Sequence, residues 1–481
     1  MGSVNALSFF FSETVQFMFI ICSESAGTIL VQTGKNTCGK EFMMNTLTKK
    51  KMATAFLAGI LMTAAGCSAK SEEASAQTAV QEETAEVTET QEEEVQETVT
   101  PVLNQTSVTA TAAVTSTGLF DATDFFSDRD LAQTADLSNA QYITLTSNQD
   151  VSITDEGVYV LSGTASEVTV RIEADDSAKV QLVLNGVNVT NTDSPVIYVV
   201  SADKVFVTTT ESDNTMTVTG TFTADGETST DAVIFSKDDL VLNGLGTLTV
   251  KSTDNGIACK DDLKITGGTY TITANADGIE ANDSVRISGG TVSITSGNDG
   301  IQVENDEDNT TGYVYICGGT LDINAADDGI HGNLGVQIDG GSLNIDAAEG
   351  IEGTYVQING GSIDINASDD GINAAFKTTV YTPTLEITGG ELNVNMGAGD
   401  TDALDSNGYI YISGGTVNIS AQFAFDYDYG AEMTGGTVYV NGSQVTSITN
   451  SMMGGGMMGG QQGFGGMMGG QQGGFGGYGR P

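Results

Sequence analysis

The sequence predicts an all-β protein, a parallel β-helix in which short strands wind into a solenoid of stacked coils. A phrase of one acidic or amide residue followed by Gly-Ile recurs at steps of 21 to 29 residues. A second phrase, an aliphatic residue and one spacer before Gly-Gly, alternates with the first. Apolar and polar residues alternate around each double glycine, as in Tyr270-Thr271-Ile272, which is typical of half-buried strands. Because so short a repeat cannot bury its apolar face alone, successive copies must stack.

Stacking places equivalent residues of successive coils above one another, about 4.8 Å apart. The isoleucine of each phrase then points inward as an apolar ladder, and its neighbours form two vertical rows. The residue before Gly-Ile gives a row of Asn255, Asp277, Asp299, Asp328, Glu349, Asp370 and Asp402. The residue after it gives a row of Ala258, Glu280, Gln302, His331, Glu352, Asn373 and Asp405, with Glu304 two positions beyond Gln302.

Carboxylates stacked at strand spacing repel one another strongly, so these rows require neutralisation. Protons could supply it at low pH, but a hard divalent cation suits oxygen ligands better. Ca²⁺ accepts about six to eight oxygens in flexible geometry, and we expect it along the rows. The predicted ligands are Asp277, Glu280, Asp299, Glu304, Asp328, Glu349, Glu352 and Asp370.

Charge excludes one class of partner. The chain has 481 residues and a formal net charge of −46, and Lys377 and Arg480 are its only Lys or Arg side chains beyond Arg286. Nucleic-acid binding requires a basic surface, so we expect no nucleic-acid partner. An acidic surface also repels acidic polysaccharide unless a metal ion bridges the two. Five cysteines are too few for a disulfide scaffold, and Cys259 and Cys317 are expected to be free.

The N-terminal region is typical of an exported lipoprotein. Residues 1–42 do not resemble the start of an exported chain, whereas residues 43–67 combine three lysines, an apolar stretch and Ala64-Ala65-Gly66-Cys67. These four residues resemble a bacterial lipobox, with Ala64 where Leu is usual. We expect translation to begin near Met44 and a lipid on Cys67 to anchor an extracellular, cell-surface protein to the membrane. An ordinary signal peptide or an uncleaved anchor is the alternative.

The remaining segments differ in composition. Residues 68–118 are rich in Glu and Thr and predict a disordered spacer. Residues 119–140 carry a short amphipathic stretch, expected to cap the first coil and protect its open strand edges. Residues 141–450 form the predicted β-helix, in which the first coils lack the double glycine. Residues 451–481 are rich in Gly, Met and Gln and predict a flexible tail.

Aromatic side chains concentrate towards the end of the repeats. Tyr409, Tyr411 and Tyr427 each lie in a stretch where aromatic and other residues alternate. Rings on one strand face can stack on sugar rings, and they can equally plug the last coil. We take these tyrosines, together with Lys260, as candidate substrate-binding residues.

The order and spacing of several phrases resemble a known family. The run Phe235-Ser236-Lys237-Asp238-Asp239-Leu240 is followed by Lys260-Asp261-Asp262-Leu263-Lys264-Ile265 and then by the serial Asp-Gly-Ile and Gly-Gly phrases. This pattern resembles bacterial secreted carbohydrate-binding domains that are similar in fold to pectate lyases. Over residues 141–450 the resemblance implies a single-stranded right-handed parallel β-helix. It also implies calcium binding and recognition of acidic plant cell-wall polysaccharide such as polygalacturonate, with some binding to cellulose.

The sequence favours binding over catalysis. Polysaccharide lyases of this shape need an Arg or Lys base of lowered pKa beside Ca²⁺. Lys260 is the alternative base, although we favour a simple counter-charge for it. Calcium without an obvious base predicts a non-catalytic, monomeric carbohydrate-binding protein. A pectate-lyase-type enzyme and a calcium-stabilised surface structural protein or adhesin stay open as alternatives.

Overall fold

A computed structural model describes residues 118–398 and 401–451, together with four short strands in the first 117 residues. The chain divides into two units, residues 1–117 and 118–481. In the first unit β1 (Asn5–Phe9), β2 (Phe17–Cys22), β3 (Thr28–Gly34) and β4 (Met43–Thr48) pair as one antiparallel sheet. The predicted lipobox, the spacer up to residue 117 and the tail from residue 452 lie outside the described residues. Among the described residues no helix has the length and apolar character needed to cross a membrane.

The second unit is almost entirely β-structure. A 3-10 helix (Ala122–Asp124) and helix α1 (Asp128–Leu131) precede 32 strands that share one hydrogen-bonded network. The first half comprises β5 (Gln141–Thr144), β6 (Val151–Ile153), β7 (Gly157–Ser166), β8 (Val170–Glu173), β9 (Lys179–Asn191), β10 (Ile197–Ser201), β11 (Lys204–Thr209), β12 (Asp213–Val218), β13 (Ala232–Ser236), β14 (Asp239–Gly244), β15 (Thr247–Lys251), β16 (Asn255–Cys259), β17 (Asp262–Ile265), β18 (Thr269–Ala274), β19 (Ile279–Ala281) and β20 (Ser284–Ile287). The second half comprises β21 (Thr291–Ser296), β22 (Ile301–Val303), β23 (Tyr313–Asn324), β24 (Asp328–Ala347), β25 (Glu349–Ile358), β26 (Ser362–Ala367), β27 (Ile372–Ala374), β28 (Thr384–Ile387), β29 (Glu391–Met396), β30 (Asp402–Ser406), β31 (Tyr409–Ile412), β32 (Thr416–Ser420), β33 (Phe423–Phe425), β34 (Gly430–Met433), β35 (Thr437–Val440) and β36 (Ser443–Val445).

Most strands pair in parallel with the equivalent strand of the next repeat, so β14 pairs with β17 and β17 pairs with β20. Three faces result. The first face carries the strands of the Asp-Gly-Ile phrase, among them β16, β19, β22 and β27. The second face carries the strands before each double glycine, and the third face carries the strands after it. Pairing in register brings equivalent side chains of successive repeats side by side.

The predicted open solenoid of short, separate strands is wrong, and with it the single-stranded β-helix. The network contains a closed parallel β-barrel of 10 strands, with 22 further strands outside it. The ring runs through β9, β11, β14, β17, β20, β23, β21, β18, β15 and β12. It closes because β9 and β23 continue through a corner and pair on both the second and the third face. The glycine pair Gly318-Gly319 bends β23 without ending it, whereas the sequence predicts a break there.

The interior is filled by the predicted isoleucine ladder. Ile301 pairs in register with Ile279 on one side and with Ile330 on the other, and all three side chains are fully buried. The same row continues through the other repeats with Ile257, Ile351, Ile372 and Leu404. Burying side chains of this size contributes roughly 1.5–3 kcal/mol each. The ladder therefore supplies much of the driving force that holds successive repeats in register.

Glycine is required in the Asp-Gly-Ile phrase because successive repeats approach closely there. A Cβ added at Gly300 would lie 2.5 Å from the main-chain oxygen of Gly329 and 2.4 Å from a methyl group of Ile323. The second residue of each double glycine must be glycine for a different reason, because its φ lies in the left-handed region, as at Gly290 with φ 90°. An L side chain rarely adopts that conformation.

We expect Gly300→Ala to lower the free energy of unfolding by about 1–3 kcal/mol, the range typical of overpacking. The added methyl group must displace the main chain of Gly329, which is itself held between strands. Chemical denaturation monitored by circular dichroism measures the change. Gly430→Ala is the matched control, because its Cβ would meet only the Tyr409 ring at 3.8 Å. Equal stability of both variants and the wild type would contradict the close-approach argument.

The segment that precedes the strands lies along the second face, whereas the sequence predicts a cap over the first coil. The main-chain N–H of Phe120 donates to Gln337 Oε1 at 2.7 Å. The ring of Phe125 lies 4.9 Å from that of Tyr315. Further along, Asp130 on α1 contacts Lys264. The segment therefore covers the outer side chains of several successive repeats instead of one end of the stack.

The two cysteines that were expected to be free differ in their bonding state. Cys259 is free and fully buried in β16, as predicted. Cys317 in β23 is disulfide-bonded, so the prediction for that residue is wrong. Spacing along the repeats gives no indication of this bond, since the cysteine positions do not recur in the sequence pattern.

Candidate functional site

The first face brings the predicted acidic row together. Asp277, Asp299 and Asp328 lie on successive repeats, and each is less than a tenth exposed. The main-chain N–H of Asp299 donates to Asp277 Oδ1, and that of Asp328 donates to Asp299 Oδ1, both at 3.0 Å. Asn255 accepts from Asp277 in the same way at 2.9 Å. One side-chain oxygen of Asn255, Asp277 and Asp299 therefore ties its repeat to the next.

His331 lies between two carboxylates of the row. Its Nδ1 is 2.9 Å from Asp328 Oδ2 and 3.3 Å from Glu352 Oε2, while its Nε2 is 2.9 Å from Asn333 Oδ1. Burial lowers the pKa of His331. The hydrogen bonds to Asp328 and Asn333 and the charge of Glu352 outweigh this effect and raise the pKa to about 9. Because acceptors face both ring nitrogens, the side chain is an imidazolium at neutral pH. It is a counter-charge within the row, not a ready metal ligand.

A second counter-charge comes from the loop formed by residues 375–383. Lys377 Nζ lies 2.5 Å from Glu352 Oε2. Burial lowers the pKa of Lys377, yet the hydrogen bond with Glu352 and the neighbouring carboxylates raise it overall. The sequence places Lys377 outside the repeat phrase, and only the folded loop brings it to the row.

Negative charge nevertheless exceeds the counter-charges. Burial raises the pKa of Asp299 to about 7, with a further increase from Asp328 and Asp277. Burial likewise raises the pKa of Glu349 to about 8, and Asn373 only partly offsets this by donating to Glu349. Carboxyl groups with pKa values this high gain from any cation that can replace the bound proton.

Two clusters in the described part of the chain have the geometry to hold a metal ion. One contains Asp299, Asp328 and His331, and the other contains Asp328, Glu349 and Glu352, with ligand atoms within 4.8 Å of one another in each. The first includes the imidazolium and suits a cation poorly. The second offers oxygen atoms alone, which is the chemistry that Ca²⁺ prefers. We therefore take Asp328, Glu349 and Glu352 as the candidate cation site.

Other predicted ligands lie apart from this site. Glu280 is paired with Lys260 at 2.5 Å, so each already has a partner. Glu304 is exposed at the end of β22. Asp370 accepts a hydrogen bond from the main-chain N–H of Asp402 at 3.2 Å, in the manner of the other row members.

A cluster of tyrosines occupies the second face in the C-terminal repeats. The rings of Tyr409 and Tyr411 are stacked, 5.6 Å apart, and Tyr429 meets Tyr409 edge-on at 5.5 Å. Tyr355 packs against Tyr381 at 5.7 Å. Tyr429 is 57 % exposed, so the cluster is open to solvent. Such rings provide an apolar surface with polar edges.

The structure joins only part of the predicted substrate set. Tyr409 and Tyr411 lie together as expected, but Tyr427 packs against the hydrophobic core. Lys260 is six strand pairings away, which is about 29 Å at strand spacing.

The loop 375–383 links the acidic row to the tyrosine cluster. At one position it directs Lys377 to Glu352, and four residues later its Tyr381 packs against Tyr355. Tyr355 and Tyr381 were not predicted as site residues. Tyr355 could have been found by register, because Thr384 pairs with Tyr355 on one side and with Tyr409 on the other.

An all-β repeat domain that presents an acidic row beside exposed tyrosines is compatible with a sugar-binding protein, and sequence comparison establishes the class. The profile of a family described as carbohydrate-binding domain-containing proteins matches residues 147–403. The chain belongs to this family. The prediction of a carbohydrate-binding domain is confirmed.

Two relatives are similar over part of the chain. A carbohydrate-binding domain-containing protein of Acetivibrio thermocellus is 40 % identical over 126 residues, which span 25 % of this chain and 44 % of the relative. This chain thus matches less than half of that protein's length. A solved structure described as a polysaccharide lyase-like protein from C. thermocellum, a gadolinium derivative, is 36 % identical with a TM-score of 0.40. The match covers 47 % of this chain and 93 % of that structure.

Proposed function

We propose that this protein binds an acidic polysaccharide of the polygalacturonate type through Ca²⁺ and does not cleave it. The observation that carries the proposal is the cluster of Asp328, Glu349 and Glu352, three carboxylates with oxygens close enough to share one ion. A bound Ca²⁺ would supply the positive charge that a uronate carboxylate needs on so acidic a surface.

The tyrosine cluster supports the same proposal. Tyr409, Tyr411 and Tyr429 expose ring faces and edges next to the loop that reaches the acidic row. A polymer that contacts the cation through its carboxylates can place neighbouring sugar rings on these tyrosines. Lys377 lies on the loop that carries Tyr381 and is ion-paired with Glu352 of the acidic row.

The proposed location follows from the N-terminal sequence. A lipid on Cys67 would hold the protein on the outer side of the membrane, and the acidic spacer would extend the binding domain towards soluble or wall-bound polymer. We propose that it acts there as a monomer. Mass analysis of the exported protein would reveal the lipid, and an unmodified N-terminus elsewhere would contradict the anchor.

The central test is retention on immobilised polygalacturonate with Ca²⁺ and with a chelator. We expect retention only with Ca²⁺. We expect about tenfold or greater loss of affinity when Asp328→Asn is combined with Glu349→Gln, since two of three ligands then lose their charge. Asp322→Asn, an exposed acid on the third face, is the control and should leave retention unchanged. Retention that persists in chelator would contradict the proposal.

A lyase is the second candidate, because Lys377 lies beside the candidate cation site. A lysine base requires a lowered pKa, however, and that of Lys377 is raised. Incubation with polygalacturonate and Ca²⁺, followed by absorbance of unsaturated product, separates the two functions. Product formation that Lys377→Met abolishes, and that Lys260→Met does not, would establish a lyase. If neither retention nor product is observed, a structural role at the cell surface is favoured.

A further inference from the structure

The third face carries a groove that shares no lining residue with the acidic row or the tyrosine cluster. It lies near the end of the repeats, across β26, β29, β32 and β35. Its volume is about 530 Å³, which is within the range of small-molecule sites. The groove is lined by Asp364, Asn393, Asn395, Asn418, Ile419, Ser420, Tyr439 and Gly442.

The floor of the groove is a ladder of pre-oriented polar side chains. Asp364, Asn393, Asn418 and Tyr439 occupy one register position on four successive strands. Asn393 Nδ2 donates to Asp364 Oδ1 at 2.8 Å, and Asn418 Nδ2 donates to Asn393 Oδ1 at 2.7 Å. Each amide uses only part of its hydrogen-bonding capacity in the ladder, because an amide offers two donors and an acceptor with two lone pairs. The rest faces the groove in a defined orientation.

The hairpin of β35 and β36 forms the wall. The chain reverses at Asn441 and Gly442, both with positive φ, and β36 pairs antiparallel with β35. The Asn441 side chain ties this turn to the neighbouring repeat, donating to the main-chain oxygen of Ala421 at 2.9 Å. The half-buried ring of Tyr439 is therefore held at the edge of the amide ladder rather than on a free loop.

The chemistry of the lining selects the ligand. Its residues include no lysine or arginine and a single carboxylate, Asp364. An acidic polymer finds no counter-charge there, and one carboxylate among amides does not make a cation site. Amide donors and acceptors at fixed spacing match sugar hydroxyl groups, and a tyrosine ring can stack on a sugar ring. We infer that this groove binds an uncharged, hydroxyl-rich oligosaccharide, independently of Ca²⁺.

The same ladder elsewhere on the third face provides a matched control. Asn344 Nδ2 donates to Asp322 Oδ1 at 2.8 Å, the same bond as in the groove, but these residues are exposed and do not line this groove. A substitution at Asn344 removes an equivalent ladder bond without touching the proposed site. This control therefore distinguishes the effect of removing a ladder bond from the effect of removing a contact with the ligand.

Titration calorimetry of the intact protein in chelator, with uncharged gluco-, xylo- and manno-hexaoses as probes, tests the inference. We expect saturable binding of at least one probe, weakened about tenfold by Asn418→Ala and by Tyr439→Ala, as for loss of one polar or stacking contact. Asn344→Ala should bind like the wild type. Asn418→Asp keeps the shape and removes the amide donors, so it should weaken binding even if Asn418→Ala disturbs the strand.

Two results would overturn the inference. One is the absence of saturable binding by all three hexaoses at millimolar concentration. The other is binding that Asn418→Asp and Tyr439→Ala leave at the wild-type level. Because these titrations contain chelator, they are independent of the cation-dependent function: either site can fail while the other holds.

Discussion

Without bound metal, the free energy of unfolding is expected to fall by on the order of 5 kcal/mol between about pH 5 and pH 9. The carboxyl groups of Asp299, Glu349 and Asp405 have pKa values of about 7, 8 and 7, raised in each case chiefly by burial. In the unfolded chain they lose their protons near pH 4. Between these values the folded state holds more protons than the unfolded state, so stability falls as pH rises.

His331 acts in the same direction over the upper part of this range. Its pKa is about 9 in the fold and about 6.5 when unfolded. Its contribution is fully present below about pH 6.5 and is lost as pH rises through about 9. The contributions of the carboxyl groups and of His331 to the free energy of unfolding therefore both fall as the pH rises, and they add instead of cancelling.

Urea denaturation at several pH values, in chelator and in excess Ca²⁺, measures the effect. Ca²⁺ should stabilise most at high pH, because the cation then replaces protons that have left, and binding to the folded state shifts unfolding by mass action. Asp299→Asn should flatten part of the decline. Stability that rises from pH 5 to pH 9 in chelator would show that the acidic row is not strained by its charge.

Asp130→Ala is expected to destabilise the protein by about 3–5 kcal/mol, as when one partner of a buried ion pair is removed. The Asp130 side chain is 1 % exposed and lies 3.4 Å from Lys264 Nζ and 3.7 Å from Lys204 Nζ. Burial alone raises the pKa of Asp130, but the Ser127 N–H and the two lysines lower it overall. Without this carboxylate the largely buried ammonium group of Lys264 loses its ion-pair partner, whereas Lys204 keeps Asp239 at 3.1 Å.

The change should also release the N-terminal segment from the second face. Increased proteolysis within residues 118–137, together with the lower unfolding midpoint, would report this release. Asp128→Ala, which removes an exposed acid two residues earlier in the same capped helix, is the control and should change stability by less than about 1 kcal/mol. Equal effects of the two substitutions would show that α1 propensity, not the buried charge, is responsible.

Much of the local structure follows from periodicity. The alternation around Tyr270 and the recurrence of Asp-Gly-Ile correctly predict strands, an inward isoleucine ladder and carboxylates brought side by side. These features are predictable because a period of two sets which side chains share a face, and register repeats it from one copy to the next.

Periodicity does not predict the closure of the barrel or the position of the N-terminal segment. Gly318-Gly319 marks a corner in the sequence, yet the strand continues through it and pairs on two faces. The amphipathic stretch around Phe125 indicates a buried side without indicating its partner. Both outcomes depend on contacts between residues far apart in the chain, and the local pattern holds no information about them.

The sequence alone determined an acidic, β-rich repeat protein whose like residues align, and with it the carbohydrate-binding class. The tertiary structure decided which charges meet: Lys377 enters the acidic row, and Tyr355 and Tyr381 complete the tyrosine cluster. The physical reason is that strand pairing is periodic, whereas loops and corners bring together residues that no repeat relates.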